Sequence, residues 1–230
     1  MNNRFNDMRT NIASASSATL GLDASAHRVL RNTYMLLSAC LAFSALTAGL
    51  SIALGLPHPG LIITMVGYFG LLYLVTKNRD SGLGVALVFA LTGFMGYTLG
   101  PIISMYLKLP NGGQTVMMAM GGTAVIFMGL SAYALVSKRD FSFMGGFLTV
   151  GILVAFLAGL VGIFMHVPAL SLTVSAVFVL LMSGLILYQT SEIIRGGETN
   201  YVMATVTLFV TIFNLFTSLL QLLGFANSSD

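Results

Sequence analysis

Seven apolar runs divide the chain, over residues 32–56, 60–76, 82–107, 115–136, 142–165, 169–190 and 201–224. All but the second reach the roughly 20 residues that an α-helix needs to cross a bilayer. Short polar breaks separate them: Pro57 to Gly60, Lys77 to Gly82, Lys108 to Gly113, Ser137 to Asp140, His166 to Pro168, and Arg195 to Asn200. Glycine and proline end helices, and charges do not stay in lipid. The pattern predicts an all-α integral membrane protein built as a seven-transmembrane-helix bundle. Residues 1–31 read as a flexible cytoplasmic tail, 32–224 as the membrane domain and 225–230 as a short outer tail.

Composition strengthens this reading. Hydrophobic residues make up 57% of the chain and charged residues only 7%, where a soluble domain carries about 25% charged. The net charge of +3 does not indicate nucleic acid, because the basic residues form no stripe. They sort by side instead. The tail (Arg4, Arg9, Arg28, Arg31), the second break (Lys77, Arg79), the fourth (Lys138, Arg139) and the sixth (Arg195) hold nine; the alternate breaks hold only Lys108. That bias places the N-terminus in the cytoplasm, and seven crossings place Asp230 outside. Tyr34, Tyr73, Tyr133, Tyr188 and Tyr201 fall near the same ends, where an amphipathic ring suits the headgroup region. The first apolar run starts too late and is too long for a signal peptide. Cys40 stands alone in an apolar run and reads as packing.

Small residues at a four-residue interval, Gly96 with Gly100 and Ala155 with Gly159, predict close helix contacts inside the bundle. Pro101 predicts a kink or an end to the third helix. In the seventh helix Thr207, Thr211, Asn214, Ser218 and Gln221 form a polar stripe. It serves either interhelical hydrogen bonds or the floor of a polar cavity. Glu192 lies one turn from both Gln189 and Arg195, which predicts an interfacial Glu–Arg pair or a gate. The candidate cavity or gate residues are therefore Gln189, Glu192, Thr211 and Asn214. His58 and His166 read as solvated loop residues. No Walker loop, zinc motif, nucleophile–base pair or intramembrane lysine in the last helix is present, so no catalytic, cofactor or metal residues are expected.

Three stretches carry a resemblance: Gly96-Tyr97-Thr98-Leu99-Gly100-Pro101, Ala119 through Phe127, and Asn214-Leu215-Phe216 with Leu219, Leu220 and Gly224. Together they resemble the signature of the Bax inhibitor-1 family of seven-helix membrane proteins. The run Tyr188 to Ile194, with the following Gly-Gly-Glu-Thr-Asn-Tyr, is similar to the YccA branch, described as modulators of the membrane-anchored AAA protease FtsH. The resemblance implies a multi-pass protein of the bacterial inner membrane, with that protease, its accessory membrane complex and the lipid bilayer as partners. The mechanism expected is occupation of the protease as a poorly degraded substrate. The alternative is an ion leak channel of the Bax inhibitor type. Calcium-leak members carry an aspartate pair, and the matching positions here are Gln189 and Thr211. Neither side chain ionises, so a pH-gated calcium leak is expected to be absent or altered.

Overall fold

The computed structural model describes the backbone of residues 2–137, 139–165 and 168–227, and within those ranges the side chains from Ala24 onward except at 163 and 168. Its elements are α1 (Asn2–Ala53), α2 (Leu61–Lys77), α3 (Gly82–Leu107), α4 (Gly112–Ser137), a 3₁₀ turn (Ser142–Met144), α5 (Gly145–Met165), α6 (Pro168–Arg195) and α7 (Tyr201–Asn227). No strand occurs among the described residues. Among the described residues, six helices are long and apolar enough to cross a membrane. The seventh, α2, has 17 residues and spans about 25 Å at 1.5 Å per residue.

Helix α1 extends well ahead of Asn32. Its backbone is helical from Asn2, where a flexible tail is expected from composition, and Val29 and Leu30 already pack on the core. An apolar-run criterion misses this segment because it is polar, yet no proline interrupts the chain before Pro57 and its alanines and leucines favour helix. Lys138, His166, Val167 and the tail from Ser228 lie outside the described residues, as do the side chains of Arg4 and Arg9.

Helix α7 is the most enclosed element, packed by α6, α4, α1 and α3. Leu208, Phe209, Leu215 and Leu220 on it are fully buried. The most extensive contact joins α1 to α3. Lipid tails are as apolar as leucine, so helices in a bilayer associate through close van der Waals packing rather than water exclusion. The sequence supplies the means. Gly93, Gly96 and Gly100 of α3 face Phe43, Ser44, Thr47, Ala48 and Ser51 of α1. A Cβ on Gly100 would stand 2.6 Å from Cβ of Ser51 and 2.9 Å from the Ala48 carbonyl. The second small-residue interval is also internal: Gly159 approaches Val174, and Ala155 is buried in the α5–α6 cluster.

Pro101 does not end α3, which continues to Leu107. Proline leaves the carbonyl four residues earlier without its helical partner. That carbonyl belongs to Tyr97, and the Ser51 hydroxyl of α1 donates to it at 3.1 Å. The neighbouring helix thus repairs the break, as the bilayer requires. Ser51→Ala is expected to lower stability by about 1–3 kcal/mol by orphaning this carbonyl. Thermal unfolding in detergent checks it, and the loss should shrink in a Pro101→Ala background, where the ladder is restored.

The connections carrying basic residues meet at one end of the bundle. Asn200 Nδ2 donates to Asp80 Oδ1 at 2.7 Å and to the Arg79 carbonyl at 3.2 Å. Ser191 Oγ donates to the Arg139 carbonyl at 3.1 Å and accepts from the Phe141 N–H at 3.3 Å. Thr205 Oγ1 reaches the Thr33 carbonyl of α1 at 3.3 Å. Arg28, Arg31, Lys77, Arg79, Arg139 and Arg195 therefore share one end. Lys108 stands at the other, where Asn227 Nδ2 donates to Thr115 Oγ1 at 2.8 Å.

Candidate functional site

The four candidate residues occupy two neighbouring helices but form no hydrogen-bonded constellation among the described residues. Thr211 is fully buried, and its Oγ1 donates to the Thr207 carbonyl at 2.6 Å. Asn214 Nδ2 donates to the Val210 carbonyl at 2.8 Å. Both α7 groups are thus satisfied inside their own helix. Gln189 is only 6% exposed, and its Nε2 has no hydrogen-bond partner among the described residues. Glu192 is half-buried, with its carboxylate over Gly197. Its backbone carbonyl accepts from the Gly197 and Glu198 N–H groups at 2.9 and 3.2 Å, closing α6 where Gly196 adopts φ 77°.

The expected Glu192–Arg195 pair is not formed. Arg195 turns to Asp140 at 3.0 Å, because the connection between α4 and α5 folds over the end of α6. The Ser142 hydroxyl and N–H, and more weakly Arg195, hold the exposed Asp140 carboxyl below the usual range. Any stabilisation from this clamp is present above the ordinary carboxylate pKa of about 3.9 and is lost as pH falls through the lowered value. Sequence spacing pointed to Glu192 because it sees only neighbours on one helix.

The polar stripe of α7 makes its interhelical bonds at the other end. Gln221 Oε1 accepts from Ser175 Oγ at 2.7 Å, and Gln221 Nε2 donates to Ser171 Oγ. Of the tyrosines read as interfacial anchors, Tyr73 and Tyr133 are exposed, whereas Tyr34, Tyr188 and Tyr201 are half-buried. The Tyr34 ring packs on Phe127, centroids 6.0 Å apart. His58 is an exposed loop residue whose Nδ1 accepts from the Gly60 N–H at 3.0 Å.

Two features were not legible as sites in the sequence. One is a group of buried polar atoms without hydrogen-bond partners among the described residues. They are Thr33 Oγ1 and Tyr34 Oη on α1, Ser131 Oγ on α4 and Thr190 Oγ1 on α6, in addition to Gln189 Nε2, a residue that the sequence already points to. The other is an open cleft of about 790 Å³ at the basic end, lined by Ala24, His27, Arg28, Leu30, Arg31 and Tyr34 of α1 and by Leu135 of α4. No cluster of three or more His, Cys, Asp or Glu that could hold a metal occurs among the described residues.

Long apolar helices packed through glycines, with exposed apolar side chains around the periphery and basic connections at one end, define a polytopic membrane protein. The family model described as "Inhibitor of apoptosis-promoting Bax1" matches residues 26–228, and the chain belongs to that family. It is 53% identical over 203 residues to the Escherichia coli K12 protein named "Modulator of FtsH protease YccA", covering 88% of this chain and 92% of that one. An uncharacterized Pseudomonas aeruginosa protein is 53% identical over 202 residues, covering 88% of this chain and 91% of its own. An uncharacterized Neisseria meningitidis protein is 34% identical over 216 residues, covering 90% and 94%. The stretches that carry the family resemblance are packing devices here. Gly96 and Gly100 seat α1. Ala119, Phe216 and Leu220 form one buried cluster, and Gly224 lies under Tyr106.

Proposed function

We propose that this protein is a seven-crossing protein of the bacterial inner membrane that binds and modulates a membrane-anchored AAA protease of the FtsH type. The observation that carries the reading is the 53% identity, over 88% of the chain, to a protein named as such a modulator. The basic end, with the N-terminus, faces the cytoplasm, in accord with the distribution of Arg and Lys. The protease engages the segment ahead of the bundle and then meets a membrane domain that resists extraction. The long first helix, polar up to Arg31 and locked beyond it onto α3, supports this order of events.

Deleting residues 2–20 is expected to leave crosslinking to the protease in native membranes intact while relieving its inhibition at least severalfold. Unchanged inhibition together with unchanged turnover of the truncated protein would overturn the mechanism. A second reading, an ion leak path, is favoured by the unpartnered polar atoms on α1, α4 and α6. It is disfavoured by Gln189 and Thr211, which cannot supply the carboxylates that a calcium site uses.

A further inference from the structure

We propose that the cleft between α1 and the end of α4 is a binding site for the phosphate headgroup of an anionic phospholipid. The inference rests on the membrane placement given above but not on any partner protease. Ala24, His27, Arg28, Arg31 and Tyr34 line the cleft from α1, at intervals of three and four residues that place them on one broad helical face. No carboxylate is among the described lining residues. The two ion pairs among the described residues are Arg79–Asp80 and Arg195–Asp140, so neither Arg28 nor Arg31 is neutralised by a described acidic partner. Two full positive charges thus stand in one concavity. The C-terminal end of α4 opposes them with only about half a negative charge.

The walls suit a lipid rather than a free ion. Leu30, Leu135 and the Tyr34 ring are apolar surfaces, and the chain neighbours Met35 and Val136 are 66% and 84% exposed, as lipid-facing residues are. The arginines immediately precede the first apolar run, which starts at residue 32, the depth of the headgroups. A guanidinium matches the oxygens of a phosphodiester in a two-pronged arrangement, and His27 adds a further nitrogen able to hydrogen-bond. Basic pockets between transmembrane helices recognise acidic headgroups in this manner. A zwitterionic lipid carries its own ammonium and gains far less. Arg79 and Arg195, by contrast, have Asp80 and Asp140 beside them.

The test is native mass spectrometry of the full chain in detergent, titrated with phosphatidylglycerol, with phosphatidylethanolamine and with inorganic phosphate. Phosphatidylglycerol is expected to be retained in preference to phosphatidylethanolamine. Its affinity should fall roughly thirtyfold in the Arg28→Gln/Arg31→Gln double variant, about fivefold for each charge near the lipid surface. The Arg28→Lys/Arg31→Lys variant should keep part of the preference, since charge remains while the planar fork is lost. Should the glutamine variant fail to fold, the salt dependence of phosphatidylglycerol binding to the unaltered protein decides: added salt should weaken it severalfold. Equal retention of both lipids, affinity unmoved by the glutamine substitutions or by salt, or binding of inorganic phosphate as tight as that of the lipid would each overturn the assignment.

Discussion

Gly96→Leu is expected to disrupt the membrane bundle. A Cβ at this position would press against the Ser44 carbonyl and Thr47 Oγ1 of α1. The threonine can rotate, but the Ser44 carbonyl is part of a helical backbone and cannot. The remaining leucine atoms would force α1 away from α3, breaking the largest helix contact in the molecule and pulling Ser51 from the Tyr97 carbonyl. Overpacking of a tight core costs about 1–3 kcal/mol; with the hydrogen bond also lost, about 3 kcal/mol or more is expected here. Thermal unfolding in detergent measures it, with Gly121→Leu as the control, since a Cβ at Gly121 meets nothing within 4 Å. If both variants unfold at the temperature of the unaltered protein, Gly96 does not set the α1–α3 approach.

The second large effect has the opposite sign. Gln189→Leu is expected to stabilise the protein by about 1–2 kcal/mol. The Gln189 side chain is buried and its amide nitrogen lacks a partner among the described residues. An unsatisfied buried donor costs about 1–3 kcal/mol, whereas an apolar group of similar size costs nothing of the kind. A raised unfolding temperature is the result to look for. A lowered one would mean that the amide is bound in the resting protein and would favour the ion-path reading. The same preparation in proteoliposomes then distinguishes the two: the regulator reading expects no pH-dependent calcium flux from either form, and flux that Gln189→Leu abolishes would sink it.

These two positions also mark how far the sequence could be read. The Gly96–Gly100 interval announced an internal contact, and the structure places one there, because a glycine interval along one helix is local information. Spacing singles out Gln189 with Glu192, Thr211 and Asn214, but the structure does not link the four by hydrogen bonds. Thr211 and Asn214 are satisfied by carbonyls one turn earlier, a choice that spacing cannot reveal. Arg195 took Asp140 from a distant connection over Glu192 on its own helix. Of the two outcomes that Pro101 predicts, a kink or a helix end, the end does not occur: α3 continues, and the compensating donor, Ser51, comes from another element.

By itself the sequence determined the solvent, the seven apolar segments that form helices and the sorting of basic residues into alternate connections. In lipid each helix must satisfy its own backbone, so hydropathy along the chain carries that information segment by segment. It also determined the family, through short stretches that proved to be packing surfaces. The tertiary structure alone decided which polar groups meet. Helices that are apolar on nearly every side do not announce which face turns inward. The pairing of Ser51 with Tyr97, of Gln221 with Ser171 and Ser175, and the gathering of Arg28 and Arg31 beside Leu135 therefore follow from how the helices pack, not from any one of them.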